Sequence, residues 1–181
     1  MAPDSPADVV RPLLQVRQTR AFSDEPVDNA LIDALTDAAR WSGSNSNGQP
    51  WRFIVIRDPA VLRAIGEASL PARHLVGAPV AIAISVPQEE GMNLAHAYDE
   101  GRAAERMLIA ASLLGLGAGI AWALKRSREL AHELLGIPHG RVVRTIVAIG
   151  HRSEAGGARK SLPGRARLPR SETVFDGHWP D

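Results

Sequence analysis

The sequence predicts a layered α/β fold, in which a small central sheet carries helices on both faces. Two observations support this prediction. Segments with apolar residues at helical spacing alternate, though not strictly, with short continuous apolar runs. The runs have the length and composition of buried strands rather than of helices.

Five segments are predicted to be helical from apolar residues that recur at every third or fourth position. The first has an apolar stripe made of Val9, Val10, Leu13, Leu14 and Val16. Asp28 and Asp58 are suited to cap the second and third helices. The fourth is rich in Ala and apolar on more than one side, which predicts a place at the centre of the fold or of a subunit interface. The predicted helices cover residues 7–18, 28–41, 58–69, 92–114 and 127–135.

Four segments are predicted to be strands, at residues 52–57, 78–86, 117–124 and 142–149. The first of them is apolar through its middle, so we expect it to be a central strand. Residues 151–181 hold many Gly, Pro and Arg residues with little periodicity. They have too few core residues to fold alone, so this tail either wraps another part of the protein or is disordered.

The composition bounds the possible functions. The 181 residues fit one domain, which we expect to span residues 1–181, with about 151–181 as a C-terminal arm. A net charge of +1 gives no general electrostatic case for nucleic acid or for an anionic membrane. The absence of cysteine excludes disulfides, thiolate zinc sites, iron–sulfur clusters and a Cys nucleophile.

Other signals are also missing from the sequence. The six histidines lack the spacing of metal ligands, so no metal site is predicted. The acidic pair of Asp99 and Glu100 lies on the long helix and is interpreted as a capping, interface or solvated feature. The apolar runs are too short to cross a bilayer, and the N-terminus has no signal-peptide pattern, so the expected location is the cytoplasm.

A polar loop is the most informative feature. Residues 42–48 form a run of seven small or amide-bearing residues between Trp41 and Trp51. A run without apolar side chains cannot be core, and loops held between rigid elements commonly carry function. Amide side chains both donate and accept hydrogen bonds, which suits a flat heterocycle whose edge alternates C=O and N–H groups.

A second segment lies upstream, at residues 16–27. Arg17 and Arg20 are three residues apart, so on a helix both guanidinium groups could face one anion. Taken together, the two segments resemble the nitroreductase family of FMN-dependent oxidoreductases. The residues that carry this resemblance are Arg17, Thr19, Arg20, Phe22, Pro26, Val27, Ser44, Asn47, Gln49, Pro50, Trp51 and Phe53.

The resemblance covers nearly the whole chain and implies a fold and an activity. The implied fold is an α+β sandwich with a small, mostly antiparallel sheet flanked by helices. The implied assembly is a tight homodimer with the flavin site at the subunit interface and a C-terminal arm that reaches over the partner. The implied activity is the reduction of nitroaromatic, quinone or similar small acceptors with NADH or NADPH, in which FMN carries the chemistry.

The resemblance also assigns site residues. Arg17, Gln18, Thr19 and Arg20 would surround the FMN phosphate, while the pyrimidine edge and ribityl chain would lie along Ser44, Asn45, Asn47 and Gln49. Gly43 stands where the family usually has Pro, which puts the rigidity of the loop in doubt. No side chain is assigned as catalytic.

Three further assignments follow from the resemblance. Arg73, with His74 as the alternative, would lie near flavin N1. A backbone N–H between residues 121 and 123 would point towards N5, so Ala121 and Trp122 are included in the site. Arg167, with Arg165 in reserve, would reach the phosphate from the tail. Gly115, Gly117 and Gly119 do not form a dinucleotide-binding loop, because they follow a helix and precede a strand.

Two other functions stay open at this point. Relatives of this family perform other flavin-dependent steps, including dehydrogenation, dehalogenation and flavin breakdown. A protein of a different class would bind or sequester flavin without catalysis.

Overall fold

The computed structural model describes residues 5–154 and 167–179, and these form an α+β fold. Its centre is a four-stranded sheet of β1 (Arg52–Ile56), β2 (Val80–Pro87), β3 (Gly117–Trp122) and β4 (Arg141–Gly150). The strand order is β1-β2-β4-β3, and all neighbours are antiparallel. The predicted layered fold with a small sheet is therefore confirmed.

Five α-helices are found in the described residues, close to the predicted positions. They are α1 (Pro6–Gln15), α2 (Asn29–Arg40), α3 (Pro59–Glu67), α4 (Asn93–Leu113) and α5 (Lys125–Leu134). The side chains of Asp28 and Asp58 accept hydrogen bonds from backbone N–H groups two residues on and cap α2 and α3, as predicted.

The core lies on both faces of the sheet. Strand β2 shows the reason: Val80, Ile82, Ile84 and Val86 point to one face and Ala81 and Ala83 to the other, all fully buried. Helices α2 and α4 cover the first face, and α3 and α5 cover the second. The sheet is thus sandwiched between two helical layers.

The prediction that the first strand is central was wrong. Strand β1 pairs only with β2 within the described residues, so it lies at an edge of the sheet, and Val55 is 41% exposed. An apolar run indicates that a strand has apolar neighbours, but it does not indicate on how many sides the strand is paired.

The first helix also differs from its prediction. It ends at Gln15 rather than residue 18, and it has no buried residue. Val9, Leu13 and Leu14 are 53–65% exposed, so the predicted apolar stripe does not pack on the core of its own chain. A sequence stripe indicates that something covers a helix face, but not which chain supplies the cover.

Helix α4 has a central position, as predicted, and it also carries a buried ion pair. The Nε of Arg144 donates to Oε2 of Glu100 over 3.0 Å, and the carboxylate side chain is only 3% exposed. Arg144 lies where the pairing of β2 with β4 shifts register, in a β-bulge that turns its side chain towards α4. Glu100 is therefore not a solvated residue, so that one of the three interpretations given to it was wrong.

Candidate flavin site

Residues 16–20 leave the helix and lie extended along the open edge of β3. Gln18 forms a parallel bridge with Ala118, and the backbone N–H of Thr19 donates to the carbonyl of Ala118 over 2.7 Å. The N–H of Ile120 donates to Oε1 of Gln18 over 3.1 Å. Arg17 and Arg20 are therefore not on adjacent turns of a helix. The suggestion that a helix brings both guanidinium groups to one anion was wrong.

Two glycines of β3 make this attachment possible. A Cβ on Gly119 would lie 2.1 Å from the carbonyl oxygen of Thr19, and one on Gly117 would lie 2.8 Å from the Thr19 side chain. Real Cβ atoms do not approach other atoms so closely, so only glycine admits the segment at this distance. The alternating glycines therefore serve close packing of the chain on β3 and belong to the strand itself, which agrees with the rejection of a dinucleotide-binding loop.

The backbone N–H groups at the end of β3 point in alternate directions. The N–H of Ala123 donates to the carbonyl of Arg144 over 2.8 Å. Because successive residues of a strand alternate, the N–H of Ala121 also faces β4, whereas that of Trp122 faces the open edge, as Ile120 does. Ala121 and Trp122 were both included in the site as sources of a backbone N–H for the flavin. Only the N–H of Trp122 points to the open edge of β3, whereas that of Ala121 points to β4.

His74, rather than Arg73, faces this edge. Its Nε2 donates to the carbonyl of Gly119 over 3.4 Å, while Arg73 is exposed on the same turn. Burial lowers the pKa of His74, and the charge of Arg20 lowers it further, against the opposing effect of the hydrogen bond to Gly119. His74 is therefore neutral at pH 7, and Arg20 supplies a permanent positive charge close to it.

The polar loop folds into a short turn at Asn45–Asn47. Ser46, Asn47 and Gln49 have φ angles of 50°, 53° and 47°, in the left-handed region that residues other than glycine rarely adopt. The N–H of Gln49 donates to the hydroxyl of Ser44 over 2.9 Å, which closes the loop. The side chains of Asn45, Asn47 and Gln49 remain exposed, so their amides are available to a ligand.

Asp99 fastens this loop to α4. Its carboxylate, on a residue that is 2% exposed, accepts the N–H of Asn45 with both oxygens at 3.1 Å. Arg102, one turn on, lies 3.9 Å from the same carboxylate. The solvated interpretation of Asp99 was wrong, and its role could not be read from the sequence because 54 residues separate it from the loop.

Gly43 has a specific neighbour. A Cβ at this position would lie 2.2 Å from Nη2 of Arg102, so a larger residue would have to displace this guanidinium, which is the end of a flexible side chain. The glycine that was expected to loosen the loop therefore lies beside the Asp99–Arg102 pair, which holds the loop from the side of α4.

Replacing Asp99 with Ala tests this attachment. We expect FMN affinity to fall about tenfold, because the N–H of Asn45 loses a charged acceptor and the loop loses its fixed position. Glu105→Ala changes an exposed carboxylate on the same helix and serves as the control. Titration of FMN fluorescence measures both variants, and equal affinities would show that Asp99 does not position the loop.

The described structure does not bring the two halves of the predicted site together within one chain. The loop leads directly into β1, at one edge of the sheet, and Arg17 to Arg20 lie outside β3, at the other edge. Four strand spacings, a distance of about 19 Å, separate β1 from the segment that lies outside β3. Arg167 is exposed at the start of residues 167–179, and Arg165 lies outside the described residues.

Comparisons with known proteins show what this chain is similar to. Residues 13–72 match the model of the nitroreductase family. The chain is 31% identical over 166 residues to an NADH dehydrogenase of Thermus thermophilus, covering 86% of this chain and 80% of that protein. It is 25% identical to an FMN reductase [NAD(P)H] of Bacillus subtilis, covering 88% of this chain and 72% of that protein.

The chain belongs to the nitroreductase family. The matched residues include both the segment beside β3 and the polar loop, so the resemblance found in the sequence is confirmed.

Solved nitroreductase structures share the fold. An FMN-dependent nitroreductase of Clostridium difficile superposes with a TM-score of 0.78 at 24% identity, covering 92% of this chain and 98% of that chain. Nitroreductase A of Vibrio parahaemolyticus gives a TM-score of 0.82 at 20% identity, covering 95% and 76%. At such identities the likeness shows the nitroreductase fold alone.

Two kinds of feature are absent from the described part of this nitroreductase-family chain. No helix there has both the length and the apolar character needed to cross a bilayer. No group of three or more His, Cys, Asp or Glu side chains in the same residues could hold a metal ion.

Proposed function

We propose that this protein uses FMN to reduce nitroaromatic, quinone or similar conjugated acceptors in a ping-pong reaction. As a nitroreductase family member it is an NAD(P)H-dependent oxidoreductase, and its cofactor is FMN. FMN, when bound, accepts a hydride from NAD(P)H and passes reducing equivalents on to the acceptor.

The observation that carries the proposal is the arrangement along the open edge of β3. The exposed guanidinium groups of Arg17 and Arg20 suit a phosphate, which arginine binds with a planar pair of N–H donors. On the same edge, the N–H of Trp122 is directed outward and His74 lies against Gly119. These groups fit the phosphate and one edge of a flavin, with Gln18 and Thr19 fixing the backbone between them.

The polar loop supplies the second wall. The amides of Asn45, Asn47 and Gln49 would hydrogen-bond the alternating C=O and N–H edge of the ring system. The hydroxyl of Ser44 is already engaged by the N–H of Gln49 and shapes the loop from within. In this arrangement the protein residues bind and orient the cofactor, and no side chain serves as an acid or base.

A second copy of the chain completes the site. A two-fold axis would place the loop of one protomer against the β3 edge of its partner, and the same contact would occur twice. The uncovered apolar face of α1 and the exposed Leu168, Phe175 and Trp179 of the tail supply apolar surface for such an assembly. We therefore propose a homodimer with two equivalent FMN sites at its single interface.

The purified protein is expected to be yellow and to lose its flavin absorbance when NADH or NADPH is added without oxygen. Absorbance at the flavin maximum, followed under anaerobic conditions, measures this reduction. Addition of a nitroaromatic or a quinone should then restore the colour. Flavin that binds but stays oxidised with both donors would instead favour a flavin-binding protein without this activity.

The identity of the acceptor needs a separate measurement. A turnover screen across nitro, quinone and enone compounds would rank the acceptors. Activity confined to a dehydrogenation, a dehalogenation or flavin breakdown would replace the proposed acceptor class with one of those reactions.

A further inference from the structure

A cavity of about 260 Å³ lies beside the polar loop, apart from the β3 edge. It is found where β1 begins, β2 ends and β4 begins, and Asn45 and Gln49 of the loop form part of its wall. The proposed function assigns Asn45 and Gln49 to the flavin but gives no role to the other residues that line this cavity. Its other walls carry an unusual set of charges.

Two guanidinium groups, those of Arg52 and Arg141, line the cavity. Arg52 donates to the carbonyls of Gln49 and Trp51, and Arg141 donates to the carbonyl of Pro50 and to both oxygens of Ser85. These contacts fix both side chains but do not neutralise their charge. Within residues 5–154 and 167–179, neither arginine has a carboxylate oxygen within 4.0 Å, although Glu89 also lines the cavity.

The charges of Arg52 and Arg141 act on each other. Burial lowers the pKa of Arg141, and the positive charge of Arg52 lowers it further. An anion between the two groups would replace this repulsion with attraction, and arginine still has free N–H donors after the contacts described above.

A buried imidazole faces the same space. His96 is 6% exposed, and its Nδ1 donates to the carbonyl of Pro87 over 3.1 Å. Its other ring nitrogen, Nε2, has no hydrogen-bond partner in the described part of the chain, and the residue lines the cavity. Pro50, Pro87 and Met92 add apolar surface to the cavity. Such surface can pack against the apolar part of an organic molecule, which an inorganic ion lacks.

We propose that this cavity binds a small organic carboxylate, held by Arg52 and Arg141, with its body against the apolar walls and a polar atom near His96. The ligand would contact Asn45 and Gln49, two loop residues that the proposed function also places beside the flavin. Arg52, Arg141 and His96 have no part in the proposed flavin site, so binding of the carboxylate and binding of FMN can each be measured by itself.

Benzoate is a suitable probe, and benzamide is its neutral counterpart of similar shape. Isothermal titration of the FMN-loaded protein is expected to show saturable binding of benzoate and at least about tenfold weaker binding of benzamide, because benzamide lacks the charge that the guanidinium groups recognise. Equal binding of the two compounds would overturn the proposal, and so would binding of inorganic phosphate without binding of benzoate.

Variants of Arg52 locate the binding. Arg52→Gln is expected to weaken benzoate binding about tenfold, and Arg52→Lys to weaken it less, because the charge is kept but the paired donors are lost. Arg57→Gln, beyond the other end of β1, is the control and should bind benzoate as the unaltered protein does. An unchanged affinity in Arg52→Gln would place the benzoate elsewhere and refute the site.

The test of the carboxylate site and the test of the proposed function can give different results. Protein that retains FMN and is reduced by NAD(P)H, but takes up no benzoate, refutes the carboxylate site alone. Protein that takes up benzoate through Arg52 but retains no FMN refutes the flavin assignment alone.

Discussion

Replacement of Arg17 and Arg20 together with Ala is expected to abolish the retention of FMN. Each guanidinium is proposed to make charge-assisted hydrogen bonds to the phosphate, and such bonds contribute about 1.5–3 kcal/mol each. Loss of both contacts would weaken binding by at least about a hundredfold. The flavin content of the purified variant and its FMN affinity on reconstitution measure the effect.

The control for this prediction has the same change in net charge. Arg63→Ala and Arg126→Ala, combined in one variant, remove two exposed arginines from α3 and α5, whose ion pairs are on the surface. That variant should retain FMN. An FMN affinity unchanged by the Arg17 and Arg20 replacements would remove the phosphate assignment.

A mixing experiment extends this prediction to the assembly. The Arg17/Arg20 variant supplies an intact loop, and a variant with Asn47→Ala and Gln49→Ala supplies intact arginines. If each site takes its arginines from one chain and its loop from the other, a mixed dimer of the two has one intact site. Recovery of FMN binding on unfolding and refolding the variants together would support the shared site, whereas no recovery would place both halves in one chain.

Gly119→Ala is expected to have a second large effect. The added Cβ would lie 2.1 Å from the carbonyl oxygen of Thr19, and the close neighbour is backbone rather than the end of a flexible side chain. Residues 16–20 would therefore have to move away from β3. We expect the free energy of unfolding to fall by about 3 kcal/mol, as for severe overpacking, with loss of FMN binding.

Gly101→Ala is the matched control for this substitution. A Cβ at Gly101, which lies within α4, has no heavy atom within 4 Å, so this change should leave FMN affinity and stability unchanged or slightly improved. Urea denaturation and FMN titration of both variants measure the difference. Wild-type values for Gly119→Ala would show that residues 16–20 are not held against β3 in solution.

The pattern of apolar residues was sufficient for the secondary structure. Helical spacing and short apolar runs predicted all five helices and four strands in the described residues, and the caps Asp28 and Asp58 marked two helix starts correctly. Two motifs, one with the paired arginines and one with the polar loop, were sufficient to identify the family. These features are local, so they leave their signal in a short window of sequence.

Contacts between distant segments could not be predicted in this way. The edge position of β1, the extended course of residues 16–20 and the attachment of the loop to Asp99 each depend on a partner far along the chain. The choice of His74 over Arg73 is of the same kind, because adjacent residues differ only in the direction that the surrounding packing gives them.

The sequence by itself determined the composition of each half of the candidate site: two arginines around a hydroxyl in one motif, and a run of amides in the other. The tertiary structure alone decided that these halves lie at opposite edges of one sheet. The physical reason is that side-chain chemistry is a property of each residue, whereas strand order results from which apolar faces pack together. One chain therefore offers the two halves apart, and the proposed homodimer would join them.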